Sequence, residues 1–147
     1  MKSYIEHANL TVSDLDQAIR FFAVALPDFT VRKRWVIEDK EWAHVGTEMS
    51  YIAINTPLDK SRFTPSDGNQ PMDTMSAGFN HVGFVVEDVE AVHDRILEAG
   101  FDRGYNNGYI IEHPHRRSAY FLDKDGNEFE FMQYLTADES LRNSYAV

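Results

Sequence analysis

The stretches IEHANLTVSDLDQAI (residues 5–19) and FNHVGFVVEDVEAVH (residues 79–93) align without a gap when His7 is set on His81. An internal repeat constrains the fold more than any local pattern, because two copies of one supersecondary unit must each bury the same face. In both copies an alternating, histidine-bearing strand runs into an acidic helix start, with Asp14-Leu15 matched by Asp88-Val89. Leu15, Ala18, Ile19, Phe22 and Leu26 then recur at helical spacing, with Ser13 expected as the N-cap and Pro27 as the stop. Val89, Val92, Ile96 and Leu97 repeat the pattern, and Ala99-Gly100 ends it where glycine suits a left-handed C-cap.

Extended segments follow each helix: FTVRKRWVIE, WAHVGT and MSYIAIN in the first half, then a segment near Phe101–Tyr105, YIIEH, SAYFL and EFEFMQY in the second. Each half reads β-α-β-β-β. The expected class is α+β, with two paired βαβββ modules forming a curved mixed sheet and helices on the outer face. The expected organisation is a single domain over 1–147, with modules at about 3–56 and 78–135, a proline-bearing linker at 57–77 and a C-terminal tail at 136–147. The linker is a candidate lid, and the tail is expected to form a short helix from about Ala137.

A formal net charge of −10 leaves no basic footprint for nucleic acid or an anionic membrane. The longest apolar run is the short FFAVAL, and the first residues enter a strand pattern directly, so the expected location is cytoplasmic. With no cysteine, disulfides, thiolate ligands and cysteine nucleophiles are excluded, and a metal must use His, Asp, Glu or water.

Strand alternation puts polar groups opposite the helix-covered side. His7, Asn9 and Thr11 oppose Ala8, Leu10 and Val12; His81, Gly83 and Val85 oppose Val82, Phe84 and Val86; Glu128 and Glu130 oppose Phe129 and Phe131. If these strands shared one curved sheet, His7, His81 and Glu130 would form an open three-ligand site for a divalent ion. The plainer alternative is hydrogen-bonded strand histidines and a glutamate on a solvated sheet face. Glu128, nearer the turn, is expected at the rim.

The segments IEHANLTVSDLDQAIRFF, FNHVGFVVEDVE and YFLDKDGNEFEF resemble the vicinal oxygen chelate superfamily of glyoxalases, fosfomycin-resistance enzymes, bleomycin-resistance proteins, extradiol dioxygenases and methylmalonyl-CoA epimerases, over roughly Tyr4 to Tyr134. The resemblance implies metal ligands at His7, His81 and Glu130. The fourth ligand of glyoxalase-type members falls at or near Ala53, which cannot bind metal, and this counts against lactoylglutathione lyase and epimerase chemistry. His113, Tyr120, Asp123, Gly126 and Glu130 match the extradiol signature in part, with Lys124 in place of its proline and no histidine in the linker before His81.

What the resemblance implies is a metal-dependent enzyme in which a divalent ion (Fe, Zn, Mn, Ni or Co) chelates adjacent oxygens of a small substrate and Tyr120 donates a hydrogen bond to the developing oxyanion. Lyase or isomerase, dioxygenase and transferase chemistry all remain open. The competing expectation is a bleomycin-resistance-like protein that binds a small molecule without turnover. A homodimer is expected in either case.

Trp35 and Trp42 are candidate pocket walls, although aromatic residues on neighbouring strands also pack on each other across a sheet. His113, His115 and Arg116, with Arg117, are candidates for holding an anionic or oxygenated substrate. His44, which has no repeat-matched partner, and His93 on the second helix are expected outside the ligand set.

Overall fold

The helical spacing of Leu15, Ala18 and Phe22 becomes α1, Leu15–Ala25. Its N-cap is Asp14, one residue beyond the expected Ser13, and the Asp14 carboxylate accepts a hydrogen bond from the Gln17 N–H at 3.0 Å. A carboxylate here also meets the positive end of the helix dipole. The second helix, α2 at Val89–Glu98, is capped identically by Asp88 on the Ala91 N–H at 3.0 Å. The repeat therefore extends to the capping chemistry. Gly100 follows α2 with φ at +83°, the left-handed stop that glycine adopts at no steric cost.

The computed structural model describes residues 3–65, 77–142 and 144; part of the candidate lid, residues 66–76, lies outside them. Contacts divide the chain into two compact units, Met1–Ser66 and Asp67–Val147.

In the first unit, β1 (His7–Thr11), α1, β2 (Thr30–Ile37), β3 (Lys40–Gly46) and β4 (Tyr51–Pro57) build a sheet of order β1-β4-β3-β2. The β1–β4 pair is parallel and the others are antiparallel. Helix α1 packs on β3 and β4. The buried helix residues Leu15, Ala18, Phe21, Phe22 and Ala25 meet Ala43, Val45, Ile52 and Ile54, all withdrawn from water. Phe21, outside the expected stripe, is fully buried; burial of such a ring contributes roughly 1.5–3 kcal/mol.

In the second unit, β5 (Val82–Val85), α2, β6 (Asp102–Arg103), β7 (Ile111–His113), β8 (Arg116–Leu122) and β9 (Glu128–Tyr134) give the order β5-β9-β8, with β6 and β7 both on β8. The extended segments read near Phe101–Tyr105 and at YIIEH are thus two short strands, one more than the βαβββ pattern has: β6 pairs with the Phe121–Leu122 end of β8 and β7 with its Arg116–Ser118 end. Between them is a tight turn, Tyr105–Gly108, in which Asn106 and Asn107 take left-handed φ angles of 54° and 55°. Asparagine tolerates that region better than most residues. Helix α2 packs on β8 and β9, where Phe121, Phe129 and Phe131 are buried with Val89, Val92 and Ile96. The tail forms α3, Glu139–Arg142. Among the described residues no helix is long and apolar enough to cross a membrane.

The architecture is therefore α+β with two mixed sheets of four and five strands. Each sheet has one face under its own helix and one face away from it, and the chemistry-bearing residues lie on the second.

Candidate functional site

The β8–β9 turn is built around one carboxylate. Asp123, almost fully buried, accepts the Asp125 N–H at 2.9 Å, the Asn127 N–H at 2.9 Å and the Asn127 amide at 2.8 Å. Burial pushes its carboxyl up, while the bonds from Asn127 and Asp125 work in the other direction. Gly126 completes the turn at φ +82°. The turn sets the register in which Tyr120 stands opposite Glu130, and Gly83 of β5 stands on the other side of Glu130.

Around Glu130 three groups meet. His81 Nε2 lies 3.4 Å from Glu130 Oε2, with the side chains 25% and 14% exposed, so bulk water only partly screens them. The other ring nitrogen, Nδ1, is 2.9 Å from the Asn80 Oδ1; because an amide oxygen only accepts, Nδ1 carries a proton and donates it there. In the neutral ring Nε2 then turns a lone pair toward a carboxylate oxygen, and in the imidazolium it donates to that oxygen instead. Two donors each about 2.1 Å from a tetrahedral ion stand about 3.4 Å apart, so this pair fits a divalent metal. The Tyr120 ring lies edge-on to His81, with centroids 5.3 Å apart, and to Tyr105 at 5.4 Å. Burial, then its hydrogen bond to Glu130 and the charges of Glu130 and Glu128, push the phenol well above its usual range. Tyr120 is therefore a protonated donor at neutral pH.

Glu128 is not at the rim: it is 2% exposed and accepts the Tyr105 N–H at 3.0 Å, which anchors the turn that carries Tyr105. Strand alternation could assign its face but not the loop folded over it.

In the first unit, His7 has Nδ1 3.0 Å from Glu6 Oε2 and a side chain 42% exposed. The two repeat-matched histidines thus share a feature the sequence comparison did not reveal: each has its Nδ1 held by an oxygen of the preceding residue, Glu6 or Asn80. His7 stacks on Tyr51 at 4.9 Å, and His44 lies against Tyr51 at 4.5 Å and edge-on to Trp35 at 4.9 Å. Burial, aided by Arg32 and His7, pushes the His44 imidazole down. Trp35 and Trp42 are register partners and stack on each other, centroids 6.1 Å apart. Ala53 lies between Asn9 and His44 in register. Next to it, buried Asn55 donates to Asn9 Oδ1 at 2.9 Å and accepts from Thr11 at 3.0 Å. Tyr51 was missed because alternation in MSYIAIN assigns it a face while only the register shows what it touches.

The EHPHRRSAY segment divides. His113 Nδ1 accepts the His115 N–H at 3.2 Å, and the rings lie 6.0 Å apart. Arg116 donates to the tail carbonyls of Arg142 at 3.2 Å and Ser144 at 3.1 Å. Arg117 points to the helix side, bridging Glu90 at 2.6 Å and Glu112 at 2.9 Å. His93 sits edge-on to Phe121 at 5.7 Å. Within neither unit, among the described residues, do three His, Asp or Glu side chains gather into a metal-holding group.

Residues 4–131 match the family model described as the glyoxalase/bleomycin resistance protein/dioxygenase superfamily. The chain belongs to this superfamily. Solved structures of similar fold include a glyoxylase/bleomycin resistance protein/dioxygenase domain from Frankia sp. EAN1pec, with TM-score 0.70 and 24% identity over 91% of this chain and 99% of that one. A glyoxalase family protein from Bacillus cereus gives TM-score 0.73 at 20% identity, covering 90% and 94%. The fosfomycin resistance protein FosX from Listeria monocytogenes, in complex with Mn(II) and sulfate, gives TM-score 0.64 at 20% identity, covering 96% and 99%. At these identities the likeness is one of fold.

Proposed function

We propose that this member of the superfamily is a metal-dependent enzyme acting on a small substrate with adjacent oxygens, its divalent ion held by His81, Glu130 and His7. The observation that carries the reading is the His81–Glu130 pair, two metal-type donors 3.4 Å apart beside a protonated Tyr120. His7 enters as the repeat-matched counterpart of His81, with Nε2 as its available donor once Nδ1 is engaged by Glu6. The Mn(II) complex of the FosX fold relative supports a divalent ion as the cofactor. When bound, the ion supplies Lewis acidity for charge that develops on substrate oxygen. The chain's own groups do the rest. Asn80 and Glu6 fix the imidazole tautomers, and Tyr120 donates a hydrogen bond to the oxyanion. Ala53 adds no fourth ligand, which leaves room for substrate and counts against chemistry that needs a carboxylate there.

A second reading, ligand sequestration without turnover, is favoured by the ring-lined sheet face of the first unit. Elemental analysis of protein purified without added metal separates the two. The enzyme reading expects a stoichiometric divalent ion, lost in His81→Ala and Glu130→Gln and reduced in His7→Ala. If no ion binds and His7→Ala leaves ligand binding untouched, the metal-enzyme reading fails.

A further inference from the structure

The face of the first unit away from α1 is a row of rings. Trp42, Trp35, His44, Tyr51 and His7 succeed one another at centroid distances of 6.1, 4.9, 4.5 and 4.9 Å. Three cations lie over this row: Arg32 Cζ is 4.6 Å from the Tyr51 centroid, Lys33 Nζ 5.3 Å from Trp35 and Lys40 Nζ 5.9 Å from Trp42. Strict alternation would place Arg32 and Lys33 on opposite faces. A register shift between Val31 and Lys33 instead turns both to the ring side, while Arg34 goes to the other side and binds Asp16 and Glu41. In a chain of formal net charge −10 this is a local concentration of positive charge. Carboxylates nearby include Glu6, on His7, and Asp28 and Glu48, which line a depression with Arg32 at one end of the row.

We infer that this face binds a planar aromatic anion, of the arylcarboxylate type. The ring of the ligand stacks on the aromatic row, and its negative charge meets Arg32 and Lys33. The cations sit on long flexible stems, so a ligand ring can displace them from the π faces and keep them as counter-ions at its edge. The inference names the substrate class for the site proposed above and rests on that reading in so far as His7 belongs to both, but the binding step itself uses no metal.

The test is titration of chelator-treated, metal-free protein with 1-naphthoate, followed by tryptophan fluorescence and calorimetry. Naphthalene-1-methanol serves as the neutral ring and cyclohexanecarboxylate as the non-planar anion. The expected result is saturable naphthoate binding that quenches tryptophan emission and weakens with salt, with both comparison compounds roughly three- to tenfold weaker. Arg32→Gln and Lys33→Gln, at surface positions where folding is not at stake, should each reduce naphthoate affinity and leave the neutral ring unaffected. Trp35→Leu should weaken both planar compounds. Absence of saturable binding, equal affinity for cyclohexanecarboxylate, or indifference to both charge variants overturns the inference. So does binding that appears only when metal is restored. Naphthoate binding in a protein that takes up no ion would instead sustain the inference and remove the metal.

Discussion

His81 Nε2 faces Glu130 Oε2 across 3.4 Å, while the opposite ring nitrogen is held by Asn80 at 2.9 Å. The side-chain amide thereby decides which nitrogen is left to face Glu130, and in the proposed metal site Asn80 would orient His81 without touching the ion. Asn80→Ala should keep the fold, because the residue is outside the core, yet lower divalent-metal affinity by about 10- to 100-fold, the usual cost of removing a group that orients a ligand histidine. Competition against a chromophoric chelator measures it. An affinity unchanged in Asn80→Ala would show that the tautomer is set by something else.

In the proposed reaction Tyr120 acts on substrate rather than holding metal. Because burial and Glu130 push its phenol up, ultraviolet difference titration should find this tyrosine un-ionised at pH about 10, where an ordinary tyrosine is half ionised. Tyr120→Phe retains the ring contacts with His81 and Tyr105 and removes only the donor. Metal affinity should stay within a few fold while kcat falls by roughly 10²- to 10³-fold, as for the loss of one oxyanion donor. A parallel loss of metal would mean that the hydroxyl works by positioning Glu130.

Much of this geometry was legible in the sequence, and the limits have physical causes. The gapless match of His7 to His81 located the two strands and both helices, since a repeated burial pattern is carried by many residues at once. Alternation placed Glu130 opposite Phe131 correctly, because a strand has only two faces. What alternation cannot report is register and loop packing. Glu128 was expected at the rim and is buried because the Tyr105 turn folds onto it; the left-handed asparagines of that turn leave no periodic signature, although the extended segments on either side of it, near Phe101–Tyr105 and at YIIEH, were legible. Arg32 and Lys33 share a face only because of a bulge, which interrupts the period itself.

Gly104 holds that turn in place. A Cβ there would stand 2.8 Å from Glu128 Oε2 and 2.9 Å from the Tyr120 carbonyl carbon, and the Gly104 N–H donates to the Tyr120 oxygen at 2.9 Å. Since the Tyr120 backbone belongs to the sheet and cannot yield, Gly104→Ala should destabilise the protein by about 1–3 kcal/mol. Denaturant unfolding would measure this. A Gly104→Ala protein of native stability would mean that the Tyr105 turn can lift away, and Tyr105 would then lose its place against Tyr120.

His44 provides a pH test within the first unit. Its imidazole is held below the ordinary value of 6.5 by burial and by the charges of Arg32 and His7. The folded state therefore binds fewer protons than the unfolded chain as pH falls through that value. The sign follows directly: His44 contributes stability above the unfolded pKa, and this contribution is lost on acidification. His44→Phe keeps an aromatic ring against Trp35 and Tyr51 but cannot take up a proton. Between pH 7 and pH 5 the wild type should lose more stability than the variant, by less than the ~1.4 kcal/mol per pH unit that a whole proton would give. Paired urea unfolding curves across this range measure the difference directly. Parallel pH profiles for the two proteins would show that the imidazole titrates alike in the folded and unfolded states, and that the ring row does not exclude its charge.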